Sequence, residues 1–331
     1  MLFTTQNFLA LWNGMMEYGN TAFRFIQIDS LETNKVLVFL NILAVALYRD
    51  LEWTENFESS DIRLNNILKT GAYTVLLNMQ KYIYDGAKRD RLPWMGDLNP
   101  EQRTILAIFS DTSLIRWTLD SLKGQTPLLG PDCAECKAAA AIVTLSGLAN
   151  CSKILLRNSF QGLSTFYGCY MLDAMPTLNA LEIIRRYWGG MLDYGATTFF
   201  EDFYLDWLKN TSPISKFPIR GKNDLHADFG TCNKGLRHSL CHGWGSGSTS
   251  FLSRRIGGIR FLEPGDGTIS ISPDLCDLEY AAVCYPTPHG PIAVIVERGK
   301  SLKSRLPRKC GSLRNRIKPE KWNFYSQPFQ V

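Results

Sequence analysis

The sequence lacks an apolar run long enough to cross a bilayer: the longest, Val36 to Tyr48, is broken by Asn41 and falls short of the roughly 20 residues a spanning helix needs. The stretch Met1 to Trp12 lacks the cationic start of a signal peptide, and no membrane partner is expected. The nine cysteines are an odd count without a short regular framework. That pattern argues against a disulfide-stapled secreted domain and for free thiols in a reducing compartment, so a cytoplasmic location is expected. Cys133 and Cys136 form a lone CxxC with no second pair at zinc spacing, and no metal site is assigned. There is no repeat of fixed period to mark a solenoid. The net charge of +5 comes from basic residues gathered between Arg298 and Lys321, without interleaved aromatics. This excess reads as a solvated tail, and no nucleic-acid partner is expected.

What is present is an ordinary globular composition over 331 residues, 45% hydrophobic and 20% charged, with 15 Pro and 26 Gly, enough to bury a sizeable core. The runs FRFIQI and KVLVFLNILAVALY between Phe23 and Tyr48 have strand character, separated by the turn-like SLETN. From Asp61 the period changes. Ile62, Leu64, Ile67, Leu68, Ala72, Val75 and Leu76 fall at helical spacing behind the caps Ser60 and Asp61, predicting a helix that ends before Gly86. Further helices are expected at Pro100 to Leu122, Glu135 to Ala149, Ser164 to Met175, Asn179 to Leu192 and Phe200 to Lys209. Beyond Gly257, alternation around Pro and Gly turns points to an antiparallel β-sandwich. The chain is therefore divided into a β remnant over 1–50, a helical domain over 51–257, a β domain over 258–298 and a basic tail over 299–331.

Three polar constellations stand out. The first, from Asp85 through Arg89, Asp90 and Trp94 to Asp97, puts three carboxylates, three cations and an indole in one loop; an aromatic platform beside carboxylates suits a sugar ring, whereas the bland reading is a solvated charged loop. The second, Tyr187 to Trp207, surrounds Asp193, Glu201, Asp202 and Asp206 with aromatics, and reads equally as a helical hairpin with surface acids. In the third, His238 and His242 lie four apart and would share a helical face, satisfied helix histidines being the plain alternative to a metal pair. Glycosidic hydrolysis needs two carboxyl groups across a sugar, one protonated and one ionised, and the chain holds candidates for both.

At these residues the chain resembles the α-L-rhamnosidase family of glycoside hydrolases. YRDLEW, FESSDIRLNNILKTGAYTVLLNMQ, DGAKRDRLPWMGD, GLSTFYGCYMLDAM, YWGGMLDYGATTFFEDF, RHSLCHGWGSGSTSFLSRRIGGIRFLEPG and YPTPHGPI follow one another in the family's order, from about Tyr48 to Ile295. The resemblance implies a mainly α six-hairpin (α/α)6 toroid, expected to be incomplete, flanked by the end of an N-terminal β-sandwich and by a C-terminal antiparallel β-sandwich. It implies inverting hydrolysis of terminal α-L-rhamnose from a glycoside or polysaccharide, without a cofactor. Asp90 matches the general acid, with the register open by one position and Asp85 or Asp97 as neighbours that could take the role. Glu201 matches the general base. Asp85 and Asp97 match acids that hold rhamnose hydroxyls, and Arg89, Trp94, His242 and Trp244 match sugar contacts. Alternatives of another class are a catalytically impaired carbohydrate-binding remnant, or a related toroid acting on another sugar.

The chain also departs from the family. After Gln125-Thr-Pro-Leu-Leu-Gly130 the family continues through several further helices with aromatic subsite residues, while here Pro131 to Cys136 leads directly into a stretch that resembles a much later one. The interval between Asp97 and Glu201 has room for roughly six helices of about 12 residues with loops of about 5, fewer than the family places there. An internal deletion and missing N-terminal domains are expected, and with them weak hydrolase activity at most.

Overall fold

The computed structural model describes residues 23, 26, 38–39, 41–54, 56–87, 91–109, 111–121, 141, 144, 152–156, 160, 162–231, 233–262, 268–306 and 311–312. The first regular element, strand β1 (Asn56–Ser59), leads into helix α1 (Ile62–Asn78). Asp61 caps α1 as its position predicts, its carboxylate accepting from the N–H groups of Arg63 and Leu64 at 2.9 and 3.3 Å, and the apolar stripe from Leu64 to Leu76 is buried. The helix stops at Asn78, short of Gly86. The Asn78 carbonyl is taken by the N–H of Tyr84 at 2.9 Å, which folds Tyr82-Ile83-Tyr84 back as a short bridge between Met79 and Ile83.

The single helix expected from Pro100 to Leu122 is two, α2 (Met95–Ile108) and α3 (Thr112–Ser121). Asp111 makes the break: its carboxylate accepts from Ser113 and Leu114 N–H at 2.9 and 3.4 Å, restarting the chain as a capped helix. Short helices α4 (Ser152–Leu156) and α5 (Gly168–Asp173) follow. Then α6 (Thr177–Ile183) runs through a π-turn at Ile184–Trp188 into α7 (Gly189–Asp193). Of the helix expected over Glu135 to Ala149, only Ala141 and Thr144 are described, and both are helical.

Two expectations fail for physical reasons. Phe200 to Lys209 is not a helix beyond a 3-10 turn at Leu205–Leu208. Phe199, Phe200, Glu201, Asp202 and Phe203 are all buried, so no side of this run is left for solvent, and an amphipathic helix is not available to it. Its backbone is instead held by other segments, Phe199 N–H donating to Thr74 Oγ1 at 2.9 Å and Glu201 N–H to the Ser239 carbonyl at 2.9 Å. Likewise, the apolar run before Tyr48 forms no strand among its described residues, and Val38, Leu43 and Val45 are more than three-quarters exposed. Strand propensity realises a strand only where an edge is available to pair with.

Helix α8 (Gly247–Gly257) lies at the centre, packed on α1, α2 and α5 and on the sheet. All of its residues except Arg254 and Arg255 are buried. Ahead of it lies a short parallel pair, β2 (Thr211–Ser212) and β3 (Asn223–Asp224), and after it the chain enters two sheets. Strands β4 (Ile259–Phe261), β5 (Thr268–Ile271) and β9 (Gly311–Ser312) form one; β6 (Tyr280–Tyr285), β7 (Ile292–Glu297) and β8 (Lys303–Arg305) join β1 in the other, in the order β1-β6-β7-β8, all antiparallel. Ala281, Val283 and Tyr285 alternate inward along β6, the pattern of a sheet with one buried face. Asn56 pairs with Cys284 and Ser59 with Ala281, so the strand before the first helix completes the C-terminal sheet. The sheet also continues past 298, because Lys303 to Arg305 pairs with Ile295 to Ala293; that part of the basic tail is a strand. One core cluster runs from Phe57 and the helices to Val283 and Ile292.

Candidate active site

Asp85 begins the charged loop, where its N–H donates to the Leu92 carbonyl at 3.0 Å. It is 1% exposed, contrary to a solvated loop. The Asp85 carboxylate is surrounded by donors: the Gly86 and Gly243 N–H groups reach Oδ1 at 3.0 and 2.9 Å, and the Trp244 N–H reaches Oδ2 at 2.9 Å. His242 Nδ1 lies 2.6 Å from Oδ2. Burial alone would lower the His242 pKa, but the Asp85 carboxylate, with Asp97 and Glu201 beyond it, outweighs burial and raises it. The two histidines do not share a helical face. His238 follows a 3-10 turn at Gly235–Arg237, and His242 precedes another at Gly243–Ser246, both with extended backbone. Burial lowers the His238 pKa, and its Nε2 sits 3.1 Å from the backbone N of Asp202.

Asp97 lies in the first turn of α2, where the helix dipole favours a carboxylate. Oxygens of Asp85 and Asp97 and a nitrogen of His242 come within 4.8 Å of one another, a spacing a metal ion could use. Asp85, however, already accepts three N–H bonds and faces the imidazole, which makes it a poor metal ligand.

Glu201 comes from the buried run after α7 and is 1% exposed. Asn233 Nδ2 donates to its Oε1 at 2.8 Å and the Ser239 N–H to its Oε2 at 2.9 Å. Trp244 ties this carboxylate's residue to Asp85: its indole N–H donates to the Glu201 carbonyl at 2.8 Å. The indole is flanked by Phe166, at 4.8 Å between ring centroids, and by the His242 ring at 4.2 Å.

The structure thus brings Asp85, Asp97, Glu201, His242 and Trp244 together. Trp94 stands before α2 and is 45% exposed, and Arg89 and Asp90 lie outside the described residues. Three neighbours were missed by sequence reasoning. Glu101 is 1% exposed and follows Asp97 by one helical turn, a spacing that puts both on one face of α2 and could have found it. Asn233 and Ser239 carry no such signal.

Residues 52–134 match the model of the bacterial α-L-rhamnosidase six-hairpin glycosidase domain. No match is found among curated protein sequences. The fold is similar to that of a rhamnosidase of family GH78 from Bacillus sp. GL1, with a TM-score of 0.61 at 15% identity over 80% of this chain and 43% of that one. It is similar also to an α-L-rhamnosidase from Dictyoglumus thermophilum, with a TM-score of 0.59 at 13% identity over 80% of this chain and 45% of that one. The chain spans less than half the length of either structure. The resemblance read from the sequence therefore holds: over residues 52–134 this chain carries the six-hairpin domain pattern of the bacterial α-L-rhamnosidases, and four-fifths of it shares their fold.

Proposed function

We propose that this chain is a glycoside hydrolase acting on terminal α-L-rhamnose with inversion, Glu201 serving as the base that activates water and Asp90 as the acid that protonates the departing oxygen. Asp85 and Asp97 would accept ring hydroxyls, with Arg89, Trp94, His242 and Trp244 lining the sugar. The observation that carries the reading is the double anchor of Trp244, which donates to Asp85 through its backbone and to Glu201 through its indole. Carboxyl groups from sequence-distant loops are thereby held beside one half-buried aromatic face, the composition a sugar site requires. The donors on Glu201 from Asn233 and Ser239 fix its direction, as a base needs. Inversion calls for about 6.5–9.5 Å between acid and base, leaving space for the attacking water.

A panel of 4-nitrophenyl glycosides separates rhamnose from its epimers, and the anomeric signal of the first product separates inversion from retention. Glu201→Gln and Asp90→Asn should each lower kcat by about 10²–10⁴-fold. An activated aryl leaving group should partly restore Asp90→Asn but not Glu201→Gln. Equal losses on activated and unactivated substrates would move the acid role to Asp85 or Asp97, and rhamnose binding without any turnover would sink the hydrolytic reading.

A further inference from the structure

Glu101 is a buried acid beside the candidate sugar site, and its role rests on the sugar-site reading. It is 1% exposed, and its Oε1 is buried without a hydrogen-bond partner among the described residues. Such an atom is costly in a fold unless position or chemistry requires it. The side chain packs against Gly243 so closely that a Cβ there would lie 2.0 Å from Glu101 Oε1 and 2.8 Å from its Cδ. The N–H groups of Gly243 and Trp244 are the ones that meet the two oxygens of Asp85, each at 2.9 Å.

We propose that Glu101 is a positioning residue of this site, whose carboxyl braces the Gly243–Trp244 peptide so that both N–H groups stay aimed at Asp85. It acts through the turn. Asp85 and Asp97 face it on the polar side, with His242 and the Cys241 thiol beside Asp85. Burial first, and then the charges of Asp85 and Asp97, hold the Glu101 carboxyl protonated well above the usual carboxylate range. As a neutral acid it fills the space under Gly243 without adding a third negative charge to a buried cluster, where repulsion would act on Asp85 directly.

The full chain, Glu101→Gln and Glu101→Ala are compared by calorimetry with L-rhamnose and by denaturant melts from about pH 5 to about pH 8. Gln keeps shape and neutrality, so Glu101→Gln should bind within about threefold of the parent, whereas Glu101→Ala should bind at least about tenfold more weakly. A folded-state pKa above the ordinary 4.5 means stability that is full below that value and lost as pH rises. The advantage of Glu101→Gln in denaturation midpoint should therefore grow with pH, a slope that a merely space-filling side chain does not give. A pH-independent difference, or equal rhamnose affinity in all three proteins, overturns the role alone. A parent chain that does not bind L-rhamnose overturns the sugar site and this role with it. If Glu101→Ala does not fold, Glu101→Asp, which withdraws the carboxyl by one methylene, takes its place.

Discussion

The indole N–H of Trp244 donates to the backbone carbonyl of Glu201 at 2.8 Å. The same carbonyl also accepts from the Thr165 hydroxyl, so the segment carrying the candidate base is fastened from two sides. Trp244 is consequently both a wall of the candidate site and a strut for it, unlike Trp94, which stands just before α2 and is 45% exposed.

The two tryptophans should therefore separate on mutation. Trp94→Ala is expected to weaken L-rhamnose binding with little change in melting temperature. Trp244→Ala should lose affinity and also stability, approaching the about 3–5 kcal/mol of a truncated core tryptophan, because it removes the indole bond and both ring contacts. Paired calorimetry and thermal melts check this; a Trp94→Ala protein with a large melting shift and unchanged affinity would return Trp94 to a structural role.

Close packing of α8 on α1 gives a second expectation. A Cβ at Gly71 would meet Thr249 Oγ1 at 1.9 Å and Phe199 Cε2 at 3.0 Å, and Thr249 is fully buried. Gly71→Ala should destabilise the chain by about 1–3 kcal/mol as an overpacked contact. Adding Thr249→Ala, which removes the nearest atom, should recover part of that loss in a denaturant double-mutant cycle.

The contrast between α1 and α8 explains what the sequence made legible. In α1 the apolar stripe and the Asp61 cap coincide, and the helix is read to its first residue. Helix α8 is Gly-Ser-Thr-Ser-Phe-Leu-Ser at its start; buried on every side by close approach of neighbours, it has small residues instead of an apolar stripe and gives no period to detect. The carboxylates Asp85, Asp97 and Glu201 stood out as candidates because they sit among aromatics in motifs that resemble a family. Glu101 did not, although it stands one helical turn after Asp97; its contact with Gly243 crosses the fold and leaves no mark in the local sequence. The strand-like run before Tyr48 shows the converse, propensity without a partner edge.

The two buried histidines should move stability in opposite directions with pH. The His242 pKa is raised above the ordinary 6.5, so its pairing with Asp85 contributes fully below about pH 6.5 and is lost as pH rises through the folded value. The His238 pKa is lowered from 6.5 by burial, so acid conditions below that value work against the folded state. Relative to the parent, His242→Gln should flatten the decline on the alkaline side and His238→Gln the decline on the acid side. Denaturant midpoints measured across that range give both slopes, and parallel curves for all three proteins would contradict the assignments.

Activity of the chain at this length is the most exacting expectation. In a ring of helical hairpins each hairpin buries its apolar side against two neighbours, so omission of consecutive helices exposes faces or closes the ring at a smaller radius. Glu201 is supported by Asn233, Ser239 and the Trp244 anchor, which rest on α8 and its preceding turns. Asp90, the proposed acid, falls in the sequence between α1 and α2 and in that role would have to meet the same glycosidic bond from the other side. A displacement of about 1 Å between acid and base costs roughly 10²-fold in rate, so the base half of the site can be well formed while turnover stays low. The chain should therefore bind L-rhamnose more readily than it hydrolyses an aryl rhamnoside. Inserting a relative's additional helices after Gly130 should raise kcat with a smaller change in affinity. If the chain as it stands melts cooperatively and turns over within about tenfold of the lengthened one, some 1.4 kcal/mol of barrier, the expectation of weak turnover at this length is wrong.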